Sequence, residues 1–144
     1  MKPKDRKYLQ GYIREIADRL GLKDWRCGLS TAELSAADED GFHVTAEAVV
    51  PAGYKHGHIR VCPCFAEHTP AEQRNVIVHE LLHFHFSPAR ECVRNDLCVS
   101  RLLTQTQYDL FFAAFNRDLE YGIDSVTNAI DQFFPLPKWP KTQR

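Results

Sequence analysis

Apolar residues recur along this chain at two periods, near 3.6 and near 2, and the switches between them mark out its elements. From Lys4 to Leu20 the spacing is helical: Leu9, Ile13, Ile16 and Leu20 form one face, Tyr8 and Tyr12 flank it, and Gly21 is a C-terminal stop. The period then shortens to two. Trp25, Cys27, Leu29 and Thr31 alternate with Arg26, Gly28, Ser30 and Ala32 and predict a first strand. Asp38-Glu39-Asp40-Gly41 reads as a turn. After it Phe42, Val44, Ala46, Ala48 and Val50 alternate with His43, Thr45 and Glu47, a half-buried second strand expected to form a hairpin with the first. Pro51-Ala52-Gly53 closes that strand. Beyond a turn at Gly57, His58 to Cys62 predicts a short third strand whose pairing Pro63 limits.

The helical period returns at Thr69-Pro70-Ala71-Glu72, which has Thr69 as N-cap, Pro70 at the first helical position and Glu72 completing a capping box. Ile77, Leu81 and Phe84 give this helix one apolar face, and Val78, Leu82 and Phe86 give it a second. A helix apolar over most of its circumference must be buried. Ser87-Pro88 is expected to end it, because proline disfavours helical backbone in the residue before it. Residues 89–103 fit a helix or a packed loop equally well. Thr104-Gln105-Thr106-Gln107 is a second capping box. Beyond it Tyr108, Phe111, Phe112, Phe115, Leu119, Ile123, Val126, Ile130 and Phe133 hold helical spacing, with Asn116-Arg117-Asp118 as a candidate break. Pro135, Pro137 and Pro140 leave residues 134–144 as an extended tail. The order of one helix, three strands and two helices predicts a single α+β domain over 1–144, its small sheet packed on the second helix.

That second helix carries the chemistry: His79-Glu80-Leu81-Leu82-His83 is a His-Glu-x-x-His motif. Residues four apart lie on one helical face, so the two imidazoles project together as half of a tetrahedral zinc site. Glu80 stands where a carboxylate takes the proton of an attacking water. Two histidines and a glutamate are costly to bury unless they are hydrogen-bonded or bind metal, and their apolar setting separates this motif from a chance match.

A catalytic zinc needs a third protein ligand and one open position. His85, two residues past His83, points to nearly the opposite side of the helix. The metzincin continuation also fails, since Phe86 holds its glycine position and Ala89 its histidine position. The best remaining candidate is Glu120 on the long last helix, in surroundings that otherwise read as buried, with Asp124 one turn later able to orient a ligand histidine. Gly122 between them is expected to let that helix approach a neighbour closely. Asp118 and Glu91 are fallback ligands, and the alternative for Glu120 and Asp124 is an ordinary exposed helix face.

Charge and cysteine content narrow the class. A net charge of −1 gives no reason to expect nucleic acid or an anionic membrane as partner. No apolar run is long enough to span a bilayer, and Met1-Lys2-Pro3-Lys4-Asp5-Arg6 lacks a signal-peptide core, so a cytoplasmic protein is expected. The five cysteines, Cys27, Cys62, Cys64, Cys92 and Cys98, are odd in number and are expected to be free thiols. Cys62-Pro63-Cys64 has one intervening residue, fewer than usual between thiolate ligands. In extended chain both would point the same way, so a second metal site with His56, His58 or His68 stays open.

His79-Glu80-Leu81-Leu82-His83, followed on a later helix by Glu120-Tyr121-Gly122-Ile123-Asp124, resembles the gluzincin arrangement of thermolysin-like peptidases. The compact layout is similar to the minimal zincin-like metallopeptidases often encoded by phages and mobile elements, including anti-repressor peptidases. The resemblance implies one zinc ion held by His79, His83 and Glu120, with Glu80 as general base and Asp124 supporting a histidine. It also implies a protein or peptide substrate. No histidine follows His85, so the separate transition-state histidine of the thermolysin type has no counterpart.

The expected activity is therefore zinc-dependent peptide-bond hydrolysis, with the substrate paired along the third strand as an edge. Tyr54, Tyr121 and Arg101 are candidate oxyanion donors. The alternatives are a zinc-dependent nuclease and a non-catalytic zinc-binding or protein-interaction module on the same scaffold.

Overall fold

The computed structural model describes residues 1–32, 34 and 44–140, and is α+β, with three α-helices and a three-stranded mixed sheet. The first helix, α1 (Pro3–Arg19), buries Leu9, Tyr12, Ile13, Ile16 and Ala17, the face its periodicity predicts. Gly21 ends it with φ +82°, a left-handed conformation that glycine adopts without strain. The expected turn at 38–41 and the start of the second strand at 42–43 lie outside the described residues.

The strands are β1 (Arg26–Leu29), β2 (Ala46–Val49) and β3 (His56–Val61). Their order is β1-β3-β2, with β3 parallel to β1 and antiparallel to β2. This corrects two expectations. β1 and β2 form no hairpin, and β3 is the central strand rather than an edge. The reason lies in what covers each edge. Side chains of α1 close the outer side of β1: Gln10 Oε1 accepts from the Leu29 N–H at 2.6 Å, and Arg14 Nη1 donates to the Trp25 carbonyl at 2.7 Å. With that side taken, β3 alone pairs on the other, and β2 joins beyond it as the opposite edge.

Gly57 is not a turn residue but lies buried inside β3. A Cβ there would stand 2.7 Å from the Val49 carbonyl oxygen and 2.8 Å from Phe84 Cε1, so its bareness lets β2, β3 and the metal-motif helix close on one another.

That helix, α2 (Pro70–Val93), starts on the expected capping box, with Thr69 and Glu72 bonding each other's backbone. Ile77, Val78, Leu81 and Phe84 are fully buried. It does not stop at Ser87. Pro88 has no N–H to offer the Phe84 carbonyl, and Ser87 Oγ donates to that oxygen instead, at 3.0 Å. The helix therefore runs on to Val93 and passes into a π-helical segment, Arg94–Val99.

The last helix, α3 (Gln105–Ile130), begins at the Thr104–Gln107 capping box and is unbroken through 116–118. It buries Tyr108, Ile123 and Thr127, while Phe111 and Val126 of its expected apolar face are exposed, as is Leu110. Its C-terminal end is tied to α2 by Arg74 Nη2 and Asp131 Oδ2, a largely buried pair 3.2 Å apart. The tail to Pro140 is extended but docked: Tyr12 donates to the Pro135 carbonyl at 2.8 Å and Trp139 Nε1 to Gln73 Oε1 at 2.7 Å. Among the described residues no helix is long and apolar enough to cross a membrane.

Candidate metal centre

His79 and His83 leave α2 on one face, and α3 crosses that face with Glu120 and Asp124. The Nε2 atoms of the two histidines stand 3.2 Å apart, and Glu120 Oε2 lies 3.5 Å from each. Three donors at a zinc-ligand distance of about 2.0–2.1 Å sit about 3.3–3.4 Å from one another when they occupy corners of a tetrahedron. The observed triangle has that size. The donor set thus fits zinc, and no fourth His, Cys, Asp or Glu joins it among the described residues.

Proton placement supports the same fit. Asp124 Oδ1 lies 3.0 Å from His79 Nδ1, which favours the proton on Nδ1 and leaves the Nε2 lone pair directed at Glu120 and His83. Burial, and then the neighbouring His79, push His83 down to about 4, so its ring is neutral near pH 7. Neither carboxylate is buried as expected: the side chains of Glu120 and Asp124 are 50% and 59% exposed. Gly122 has open space around it, so the close approach expected there does not occur.

Glu80 lies against the sheet and lines the same cleft as the two imidazoles. It is only 7% exposed, and the backbone N–H of Ala48 on β2 donates to its carboxylate. Burial pushes this acid up to about 7, against the lowering effect of that hydrogen bond, and the charges of Glu120 and Glu47 add to the rise. The edge strand, the buried acid and the imidazoles together line a cleft of about 350 Å³.

Other candidates fall elsewhere. Asp118 pairs with Arg117, and Glu91 with Arg94 and Asn95. His85 Nε2 is 2.9 Å from the Leu20 carbonyl, on the far side of α2 as its position requires. Tyr54, Tyr121 and Arg101 do not line the cleft. Arg90 does, together with Ser87. Arg90 lies seven residues, two turns, beyond His83 on the same face, a relationship that the helix end predicted at Pro88 hides in the sequence. The cleft adjoins a larger cavity of about 620 Å³ that shares Val50, Ser87 and Arg90 with it and is walled by Trp25, Tyr54 and Phe112. The Arg90 guanidinium lies over the Phe112 ring, 5.7 Å from its centre.

The cysteines also depart from expectation. Cys62 and Cys64 are joined as a disulfide, while Cys27 and Cys92 are free. The chain is not extended here: Cys64 lies in a 3-10 turn, Pro63–Glu67, which brings the two Cα atoms to 5.3 Å.

No protein-family model, no curated protein and no solved structure matches this chain.

Proposed function

We propose that this chain is a zinc-dependent peptidase of the gluzincin type, in which His79, His83 and Glu120 hold one zinc ion. The observation that carries the reading is the triangle of two imidazole nitrogens and one carboxylate oxygen at zinc-ligand spacing, drawn from two helices, beside a buried glutamate. Zinc, when bound there, supplies a Lewis acid for the scissile carbonyl and makes the attacking water more acidic. Asp124 holds the His79 tautomer. Glu80, fixed by the Ala48 N–H, accepts the proton of the attacking water and passes it to the leaving amine; a base whose pKa lies near 7 suits both transfers.

β2 is the strand beside the site and an edge of the sheet, so an extended peptide would pair along it rather than along β3. The adjoining cavity, walled by Trp25, Tyr54 and Phe112, suits a bulky apolar side chain, with Arg90 at its mouth for a carbonyl or carboxylate of the substrate. The proposal includes a protein or peptide substrate and a cytoplasmic setting, as in the phage-type minimal metallopeptidases that the motifs resemble. A purely structural zinc fits less well, since such sites are closed by a fourth protein donor. Near-neutral charge weighs against a nuclease.

The test is zinc content and cleavage together. Purified wild type should carry zinc at this site and cleave members of a degenerate peptide pool read by mass spectrometry. Glu80→Gln should keep the metal and lose cleavage. A chain that binds no divalent ion at His79 and His83, or whose cleavage survives Glu80→Gln, would refute the proposal.

A further inference from the structure

A second group of metal-type donors lies at the N-terminal end of α2. Chain leaves β3 at Cys62, turns through the short 3-10 helix Pro63–Glu67 and reaches His68 just before the Thr69 cap. That turn brings a sulfur of Cys62, a sulfur of Cys64 and a ring nitrogen of His68 within 4.8 Å of one another. Ten residues of helix separate Thr69 from His79, about 15 Å at 1.5 Å per residue, so this cluster is separate from the first. Of the three histidines that sequence left open, His56 and His58 lie in β3 and only His68 joins the cysteines.

We propose that Cys62, Cys64 and His68 form a second metal site, for a thiophilic ion such as zinc, when the two cysteines are reduced. Two thiolates and an imidazole are the donors that zinc prefers, and the Cys62 sulfur comes from a residue only 2% exposed. Glu72 Oε2, which accepts the Thr69 N–H at 2.7 Å, places a carboxylate 3.9 Å from His68 Nδ1. The backbone between the donors is held independently of any metal. Gln73, itself buried, donates to the carbonyls of Phe65 and His68 at 3.0 and 2.9 Å, and Phe65 is anchored in the core. The donors are therefore preorganised.

The disulfide is the competing state of the same pair. Closing so short a ring removes little freedom from the unfolded chain, so a Cys62–Cys64 crosslink adds little to a turn that Gln73 already fixes. Reduction of the S–S bond, for example by two equivalents of a small thiol that leave as one small disulfide, takes up two electrons and two protons and yields two thiols. Metal binding then displaces both thiol protons. Oxidation by a small disulfide reverses this and releases the ion. The site is redox-gated, and this conclusion is independent of any peptidase activity.

Cobalt(II) loading of the full chain tests it. Phosphine-reduced wild type should show a thiolate-to-cobalt charge-transfer band in the near ultraviolet and bind about two equivalents. Oxidation of wild type should abolish the band and leave about one. Cys64→Ser, at a half-buried position, should also lose the band, while the double variant His79→Ala/His83→Ala should keep it. His68→Ala should weaken the second equivalent tenfold or more. A reduced wild type without the band, or a band that persists in Cys64→Ser, overturns the proposal, because the thiolate would then be absent or belong to another cysteine.

Discussion

Asp124 Oδ1 lies 3.0 Å from Nδ1 of His79, on the side of the ring away from Glu120 and His83. One turn of α3 therefore supplies two different contacts to one histidine: Glu120 faces Nε2, the nitrogen proposed to bind metal, and Asp124 lies against Nδ1. Removing an outer partner of this kind typically lowers metal affinity about 10–100-fold. Asp124→Ala should show that loss in a competition titration against a zinc chelator, and Glu120→Ala a larger one. Equal affinity in Asp124→Ala and wild type would mean that the contact does not set the tautomer.

Protonation of Glu80 is linked to stability. Its folded pKa, about 7, lies above the unfolded value of 4.5, so the folded metal-free chain holds this proton more tightly. The sign follows: the stability associated with this proton is full below about pH 4.5 and is lost as pH rises toward 7. A shift of this size corresponds to roughly 3 kcal/mol. Metal-free Glu80→Gln should accordingly be more stable than wild type at pH 8 by up to that order, and lose the advantage near pH 4. Urea denaturation in the presence of a chelator at both pH values measures it.

Gly57 should tolerate nothing larger. A methyl group there meets backbone at Val49 on one side and the Phe84 ring on the other, and the carbonyl has no freedom to move without breaking the β2–β3 ladder. Overpacking of this kind costs about 1–3 kcal/mol. Gly57→Ala should lower the thermal midpoint, whereas Gly122→Ala, which adds a methyl in open space within a helix, should raise it slightly.

Ser87 compensates for Pro88. Ser87→Ala leaves the Phe84 carbonyl without its donor, which should cost about 1 kcal/mol. The larger effect should fall on the helix beyond Pro88, seen as faster amide hydrogen exchange across residues 89–99 than across 70–84.

The cavity beside the metal cleft should set substrate preference. Phe112→Ala enlarges the cavity and removes the ring beneath Arg90. Cleavage of peptides with bulky apolar side chains should fall about 10–200-fold in kcat/KM relative to peptides with small ones, the range that one ill-fitted apolar group commands. A uniform loss across all peptides would assign Phe112 to stability alone.

Legibility followed the range of the interactions. Thr69 with Glu72 and Thr104 with Gln107 could be read directly, because a capping box closes within four residues. The pairing of His79 with His83 is equally local, since α-helical geometry alone brings residues four apart together. Glu120 and Asp124 could be nominated but not positioned: their surroundings were expected to be buried, and both are half exposed.

What the amino-acid order determined by itself is thus the helices, their starts, the apolar faces of α1 and α2, and half of the candidate metal centre. Tertiary structure decided the rest. Strand order turned on a competition for edges: Gln10 and Arg14 occupy the free side of β1, so β3 becomes central and β2 is left beside the site. Whether Pro88 ended α2 turned on one Ser87 hydroxyl. The burial that raises Glu80 comes from β2 passing over it, and the gathering of Cys62, Cys64 and His68 comes from a turn held by Gln73. Each of these joins groups distant in the chain or chooses between near-equal local alternatives, so the order of residues admits them and only the packed chain selects them.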